Sequence, residues 1–290
     1  MIFSTGLSVP EGPVALNDGS WLVVEMGPDR GCITQISQNG KDKRIVAKTG
    51  RPNGLALDRS GYIWAAESLS PSLLRVTLDG QVEEILTSCG DEPFLFPNDL
   101  AFGPDGMLYL TDSGILFEDF APGGQVRPDY MDVSIDGRVY KINPATRDIE
   151  KIDTGIRFTN GIAFGPDDNL YVNETITGMV FKYEWNDGQV SGGRQDFGNV
   201  IAPDAPEGIK GPDGMKFGAD GRLYVTVFGQ GDVSVLDTAG AVSERIKTDG
   251  ALPTNLAFGL PGDTRIYVTE DECGTIEVFD VGVEGFKLYD

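Results

Sequence analysis

The chain of 290 residues contains no histidine. This absence excludes Ser-His and Cys-His nucleophile pairs, histidine-based acid-base chemistry and every zinc site that uses imidazole. Any catalysis must therefore use carboxylates, lysine, tyrosine or a metal ion held by oxygen. Cysteine is also scarce, because Cys32, Cys89 and Cys273 are an odd number at no metal-ligand spacing. This pattern predicts free thiols in a reducing compartment.

Long apolar runs and excess positive charge are missing as well. No run of about eighteen apolar residues occurs, and the first residues lack a basic segment followed by a long apolar one, so we expect neither a membrane span nor a signal peptide but a cytoplasmic protein. The 45 acidic residues outnumber the 23 basic ones and give a formal charge of −22. Such a charge repels nucleic acid and anionic membranes. We expect a small-molecule ligand and a monomer or weak homo-oligomer.

The chain does contain one pattern that recurs six times. It is clearest in residues 96–112, FPNDLAFGPDGMLYLTD, where two apolar runs flank the turn 103–106 and indicate a β-hairpin. The other copies are residues 10–25, 52–67, 159–174, 212–227 and 253–270. A second hairpin follows each copy. Six units of four strands without helical periodicity predict an all-β fold, a six-bladed β-propeller with four antiparallel strands per blade, as a single domain over residues 1–290.

Two further features of the repeat concern its ends and its insertions. The strand before the first copy is predicted to complete the last blade, which would hide a free sheet edge. Extra residues lie between copies at 114–136 and 186–210. Either segment could cover one face of the propeller or be a surface loop, and we take 114–136 as a candidate lid. Glu118 and Asp119 within it could reach a substrate or be solvated surface acids.

One residue of each copy, here called the anchor, stands at the entrance of the first strand, eight positions before the last residue of the turn, which is Gly106 in the copy quoted above. The six anchors are Glu11, Asn53, Asn98, Asn160, Asp213 and Thr254. Because the first strand of each propeller blade lines the central channel, the anchors should form a ring at one channel mouth. Carboxylate and amide oxygens without nitrogen or sulfur are typical of a hard-cation site. The alternative is that Asn and Asp stand there as turn formers.

Four motifs resemble those of the SMP-30/gluconolactonase/luciferin-regenerating family of six-bladed propellers, and the resemblance covers essentially the full length. The motifs are Glu11-Gly12-Pro13-Val14, Pro97-Asn98-Asp99, Thr159-Asn160-Gly161 and Pro212-Asp213-Gly214-Met215. The resemblance implies one divalent cation bound by Glu11, Asn98, Asn160 and Asp213 at the channel mouth, and lactone hydrolysis as the activity. It also implies that Asp213 is both a metal ligand and the general acid-base residue. An oxygen-only ligand set favours Ca²⁺, with Mg²⁺, Mn²⁺, Zn²⁺ or Fe²⁺ as alternatives.

Substrate contacts are predicted near the same mouth. The candidates are Asn98, Phe96, Asn53, Asp99 and Glu118. The sugar lactonases of the family carry an arginine two residues before the Asn of the Asn-Asp motif, where this chain has Phe96. This departure predicts a more apolar lactone, unless Phe96 only packs the insertion onto the propeller. Arg51 and Arg157 flank anchors and could bind a carboxylate or hydroxyls, or form structural ion pairs.

Two other functions stay open at this stage. The same metal site could serve a phosphotriesterase-like hydrolase. Alternatively, the propeller could be a non-catalytic module that binds a ligand or a partner, because the fold alone implies no activity.

Overall fold

A computed structural model describes residues 1–186 and 188–289, and this part of the chain forms a six-bladed β-propeller. Each blade is a four-stranded antiparallel sheet, as the repeat predicted. The inner strand of each blade contacts the inner strands of both neighbouring blades, which closes the ring.

The strands follow the chain order of the repeat. The first strand, β1 (Ile2–Thr5), belongs to the last blade. Blade 1 contains β2 (Pro10–Ala15), β3 (Trp21–Glu25), β4 (Cys32–Ile36) and β5 (Lys43–Lys48). Blade 2 contains β6 (Pro52–Leu57), β7 (Ile63–Glu67), β8 (Ser72–Val76) and β9 (Val82–Leu86). Two short strands, β10 (Ser88–Cys89) and β11 (Glu92–Pro93), pair with each other before blade 3.

The remaining blades include the two insertions. Blade 3 contains β12 (Pro97–Phe102), β13 (Leu108–Asp112), β14 (Gly137–Ile142) and β15 (Ile149–Ile156). Blade 4 contains β16 (Thr159–Phe164), β17 (Leu170–Glu174), β18 (Met179–Asn186) and β19 (Gln189–Asn199). Blade 5 contains β20 (Gly211–Phe217), β21 (Leu223–Phe228), β22 (Asp232–Leu236) and β23 (Val242–Lys247). Blade 6 contains β24 (Pro253–Phe258), β25 (Arg265–Glu270) and β26 (Thr275–Asp280).

The N-terminal strand closes the ring. β1 pairs antiparallel with β26, with Ile2 opposite Glu277 and Thr5 opposite Thr275. Blade 6 therefore combines strands from both ends of the chain, which confirms the predicted closure. This arrangement also pairs an edge of blade 6 that would otherwise be open.

Aromatic residues of the repeat hold neighbouring blades together. The second strand of one blade carries a Tyr, and the inner strand of the next blade ends in a Phe. The Tyr109 and Phe164 ring centres are 4.8 Å apart, and those of Tyr224 and Phe258 are 5.2 Å apart, both edge to face. Aromatic pairs of this geometry stabilise a core beyond their buried area. The recurring Phe and Tyr of the sequence pattern thus form contacts between blades 3 and 4 and between blades 5 and 6.

The insertion 114–136 lies at the anchor end of the propeller. It contains a four-residue helix, α1 (Phe117–Phe120), and a 3₁₀ turn, Pro122–Gly124. Its Ile115 and Phe120 pack in one apolar cluster with Phe96 and Phe158, which precede two anchors. In the second insertion, β18 and β19 lengthen the outer hairpin of blade 4. Residue 187 of that insertion lies outside the described residues.

The C-terminal segment crosses the opposite face, where the hairpin turns are. Phe286 N donates to Phe217 O at 2.9 Å, and the Tyr289 hydroxyl donates to Asp168 Oδ1 at 2.5 Å. The C-terminal segment and the insertion 114–136 therefore lie at opposite ends of the propeller. In the part of the chain that the structure describes, the three cysteines are free thiols, and no helix has the length and apolarity needed to cross a membrane.

Candidate active site

Every inner strand is irregular at its anchor. In all six blades the pairing between the inner strand and the second strand shifts register at the anchor or directly after it. Bulges of this kind bend a strand and redirect its side chains, and they are common beside functional sites. The repeat therefore builds the same local distortion six times around the mouth.

The two acidic anchors influence each other across the ring. Glu11 is 2% exposed and Asp213 is partly buried. Burial raises the pKa of Glu11 well above its usual value, and the Asp213 and Asp99 carboxylates raise it further. Burial also raises the pKa of Asp213, with Asp99 adding to the shift and the Asn160 side chain opposing it. Carboxylates held together away from water favour the binding of positive charge.

Asn98 and Asn160 hold their side chains in the same way. Asn98 Nδ2 donates to Ser113 Oγ at 3.1 Å, and Asn160 Nδ2 donates to Thr175 Oγ1 at 3.2 Å. Both carbonyl oxygens, Oδ1, are buried and accept no hydrogen bond from any described residue. A buried acceptor without a donor costs about 1–3 kcal/mol. Two such oxygens at matching positions of adjacent blades are available to accept a bond from a ligand.

These four anchors suit a hard divalent cation. They offer two carboxylates and two amide carbonyls, and oxygen donors are the ligands that Ca²⁺ and Mg²⁺ prefer. Within residues 1–186 and 188–289, no group of three or more Asp, Glu, His or Cys side chains could hold a metal. A metal ion bound at the ring would therefore need the amide oxygens of Asn98 and Asn160 as further ligands.

The other two anchors have different surroundings. Thr254 Oγ1 lies 2.7 Å from Pro10 O and 2.8 Å from Thr269 Oγ1, so it joins blade 6 to blade 1. Asn53 is buried in blade 2 with 5% of its surface exposed. Thr254 is thus a structural member of the ring.

The remaining predicted substrate contacts are spread over three environments. Phe96 is 4% exposed, with its ring centre 5.9 Å from that of Phe117 and 5.7 Å from that of Phe158. Asp99 is buried in the channel, where Oδ1 accepts from Leu100 N at 2.8 Å. Glu118 lies exposed on α1, and in the described part of the chain no hydrogen bond or ion pair joins it to the ring.

Hydrogen bonds between blades fix the anchor backbone. Thr111 Oγ1 donates to Asn160 O at 2.7 Å, and Asn173 Nδ2 donates to Asp213 O at 2.6 Å. In each case, the second strand of one blade holds the anchor carbonyl of the next blade. The candidate ligands are therefore positioned by the rigid inner part of the propeller, as an efficient site requires.

Comparison with known proteins then decides the family. The family model described as SMP-30/Gluconolactonase/LRE-like region matches residues 10–271. The chain belongs to this family.

Proteins similar to this chain include named lactonases. The gluconolactonase of Zymomonas mobilis is 25% identical over 284 residues, which are 91% of this chain and 76% of that protein. Lactonase drp35 of Staphylococcus haemolyticus is 29% identical over 224 residues, 72% of this chain and 63% of that protein. The structure described as a calcium-binding protein, regucalcin, from Agrobacterium tumefaciens has a TM-score of 0.80 and 18% identity, covering 99% of this chain and 95% of that one. At this identity the likeness shows the fold alone.

In this SMP-30/gluconolactonase/LRE-like chain, two channel residues escaped the sequence analysis. Lys216 stands three positions after its anchor, where the other copies have Ala or Val, and its Nζ lies 4.0 Å from Asp99 Oδ2. Asn255 stands directly after its anchor and donates through Nδ2 to Glu11 Oε2 at 3.2 Å. A column-by-column comparison of the six copies would have found both residues. The signal is a polar side chain where most copies have a small one.

Glycines in neighbouring blades make room for the channel side chains. A Cβ on Gly54 would lie 2.4 Å from Asp99 Oδ1, and one on Gly214 would lie 2.0 Å from Asn255 Oδ1. Both distances are shorter than any ordinary contact. The glycine after these anchors is therefore required by the polar residue of the adjacent blade.

The acid that ends five of the six repeat copies was also missed, and its role is structural. These acids are Glu25, Glu67, Asp112, Glu174 and Glu270. Asp112, for example, accepts from Leu95 N at 2.7 Å and from Phe96 N at 3.0 Å. Each of the five acids accepts a hydrogen bond from a backbone N–H shortly before an anchor.

Proposed function

We propose that this chain is a divalent-metal-dependent lactone hydrolase. The observation that carries the proposal is the pair of buried, unpartnered carbonyl oxygens on Asn98 and Asn160, in the same ring as the acidic anchors Glu11 and Asp213. Membership of the family and similarity to proteins named gluconolactonase and lactonase support the reaction class.

Glu11, Asn98, Asn160 and Asp213 would hold the cation. Ca²⁺ is the expected ion because all four donors are oxygen atoms and two of them are neutral amides. When bound, the cation supplies positive charge that polarises the lactone carbonyl and stabilises the negative charge that develops on its oxygen.

Asp213 acts in this proposal as the general base. Its carboxylate accepts a proton from the attacking water and returns it to the alkoxide that leaves when the ring opens. Asn173 holds the Asp213 main chain through its carbonyl, and Asn255 orients the Glu11 carboxylate. Lys216 lies close to Asp99 and supplies a counter-charge inside the channel.

The insertion 114–136 is proposed to exclude bulk water from the mouth. Its Ile115 and Phe120 pack with Phe96 and Phe158 beside the anchor ring. Apolar rings above a polar site lower the local dielectric and strengthen electrostatic interactions within it. We also propose that the protein works in the cytoplasm as a single propeller domain, where its three free thiols would stay reduced.

A metal-reconstitution assay tests the proposed function. Protein stripped by a chelator is given Ca²⁺, Mg²⁺, Mn²⁺, Zn²⁺ or Fe²⁺ in turn and assayed against a panel of γ- and δ-lactones. We expect hydrolysis to disappear with the metal and to return with at least one ion, and Asp213→Ala to remain inactive while keeping its β-sheet circular dichroism spectrum. Hydrolysis that persists after chelation would contradict the metal dependence. A phosphotriester in the same panel tests the alternative reaction.

A further inference from the structure

The six residues that stand two positions before the anchors are here called the rim. This rim consists of Val9, Arg51, Phe96, Phe158, Gly211 and Leu252. Contacts between rim neighbours show that the rim is continuous over three blades. The Arg51 guanidinium carbon lies 5.3 Å from the Phe96 ring centre, and the Phe96 and Phe158 ring centres are 5.7 Å apart. Arg51 is the one charged residue of the rim.

Ser68 holds the Arg51 side chain at the mouth, because its hydroxyl bonds to Arg51 where the equivalent hydroxyls of blades 3 and 4 bond to an anchor amide. Ser113 and Thr175 lie fifteen residues after their anchors and accept from the anchor amides. Ser68 lies at the same distance from Asn53. Its Oγ accepts instead from Arg51 Nη1 at 2.9 Å and donates to Arg51 O at 2.8 Å. Blade 2 therefore uses this hydroxyl to position a guanidinium.

Aromatic rings cover the guanidinium. Its central carbon lies 3.9 Å from the ring centre of Phe117, which belongs to α1 of the candidate lid. Burial lowers the pKa of Arg51 to about 10, although four carboxylates in the neighbourhood oppose the shift, those of Glu67, Asp271, Glu11 and Asp213. Within residues 1–186 and 188–289, none of them forms an ion pair with Arg51.

Three of these carboxylates, all except that of Asp271, have other roles. Glu67 Oε1 accepts from Arg51 N at 2.7 Å and from Leu69 N at 2.8 Å, so it holds the backbone. Glu11 and Asp213 are the proposed cation ligands. A partly desolvated cation without a contact anion is costly, and a guanidinium matches a carboxylate through two parallel hydrogen bonds.

We propose that Arg51 determines substrate specificity by binding a carboxylate on the substrate, which makes the substrate class a lactone that carries a free acid group. This inference rests on the proposed lactone hydrolase function. A divalent ion bound at the ring would balance the charges of Glu11 and Asp213, and Lys216 lies near Asp99. With that ion bound, the mouth would not repel an anionic lactone, in spite of the net negative charge of the whole protein.

Two lactones of the same ring size test this assignment. γ-Butyrolactone-γ-carboxylate carries the acid group, and γ-valerolactone carries a methyl group at the same carbon. With reconstituted protein we expect kcat/KM to be roughly 10- to 100-fold higher for the acid, the range of a charge-assisted pair. Arg51→Met should abolish this preference, mainly by raising KM for the acid. Arg51→Lys should keep part of the preference, because lysine keeps the positive charge but cannot donate the two parallel hydrogen bonds of a guanidinium.

Arg157 provides the matched control. Its Nη2 donates to Met131 O in the candidate lid. If Arg51→Met acted only by loosening that segment, Arg157→Met would change the preference equally. We expect Arg157→Met to keep it. A wild type that prefers γ-valerolactone, or an Arg51→Met variant that loses both lactones in equal proportion, would overturn the assignment.

A binding measurement separates this inference from the hydrolase proposal. Cyclopentanecarboxylate has the acid group but no ester, and cyclopentanecarboxamide is its neutral counterpart. Calorimetry should detect tighter binding of the acid by wild type, roughly 10-fold or more, and no such difference with Arg51→Met. If no lactone is hydrolysed but this Arg51-dependent binding is seen, the carboxylate site stands and the hydrolase proposal fails. If lactones are hydrolysed but Arg51→Met binds the acid as wild type does, the Arg51 assignment fails.

Discussion

Replacing Asn98 by alanine should separate a ligand-binding role of this side chain from a structural one. Asn98 is 3% exposed, and its Nδ2 donates to Ser113 Oγ while its Oδ1 is buried without a donor among the described residues. Ser113 Oγ keeps its own hydrogen bond to Thr159 O, at 2.8 Å, in the variant. The substitution therefore removes one favourable hydrogen bond, to Ser113, and one buried carbonyl oxygen that has no donor among the described residues.

The magnitude follows from these two terms. Losing the hydrogen bond to Ser113 costs about 0.5–1.5 kcal/mol, and removing the unpartnered carbonyl recovers about 1–3 kcal/mol. In a chelator, the free energy of unfolding of Asn98→Ala should therefore lie between about 0.5 kcal/mol below and about 2.5 kcal/mol above that of wild type. In contrast, if the Asn98 side chain served packing alone, its truncation would destabilise the protein, as truncation of most buried side chains does.

The assay compares thermal unfolding in chelator and in Ca²⁺. A ligand present at about 100 times its Kd stabilises the folded state by roughly 2.7 kcal/mol, which corresponds to several degrees in Tm. Wild type should show this shift and Asn98→Ala should lose most of it. Asn53→Ala is the control from the same register of blade 2, and it should keep the shift. The reasoning is refuted if Asn98→Ala is destabilised by more than about 1 kcal/mol in chelator and still responds fully to Ca²⁺.

Three further predictions concern the same region. Asp213→Asn keeps one oxygen donor but cannot accept a proton, so Ca²⁺ titration should show weaker binding while kcat falls on the order of 10²- to 10⁴-fold; full recovery of activity at high Ca²⁺ would show that Asp213 is only a ligand. Burial raises the pKa of Asp213 in the folded chain. As the pH rises above about 4, Asp213 therefore loses its proton in the unfolded chain while it still holds the proton in the folded chain. Metal-free wild type should therefore lose stability relative to Asp213→Asn as pH rises, and a constant difference in Tm between the two would contradict this. Thr111→Val leaves Asp99 N and Asn160 O without their partner, so urea unfolding should show a loss of about 1–3 kcal/mol; an unchanged midpoint would mean that these groups find other partners.

Local patterns in the sequence were sufficient to predict the architecture. Turns such as 103–106 and the alternation around them define hairpins within about sixteen residues, and their recurrence in one register predicts equivalent places in a closed ring. The same register predicted the position of each anchor, including Glu11 and Asp213. The strand that closes the ring was predicted because one strand precedes the first copy of the repeat.

The roles of side chains within the ring could not be predicted in this way, because they depend on contacts between blades. Thr254 and Asn98 occupy the same register, yet Thr254 is bonded to Pro10 of blade 1 and the Asn98 carbonyl has no donor. Phe96 suggested an apolar substrate contact, but its ring is buried under Phe117 of the insertion. Its contact with substrate stays a prediction.

The sequence by itself determined the number of blades, the strands of each blade and the six places around the channel, because hairpin turns and residue alternation act over short stretches of chain. Only the tertiary structure decided what meets at those places. Asn255 reaches Glu11 across 244 residues of sequence, and Arg51 reaches Phe117 from another blade. Such contacts arise when the ring closes, since closure brings the first and last blades together and packs the insertion against residues that precede two anchors.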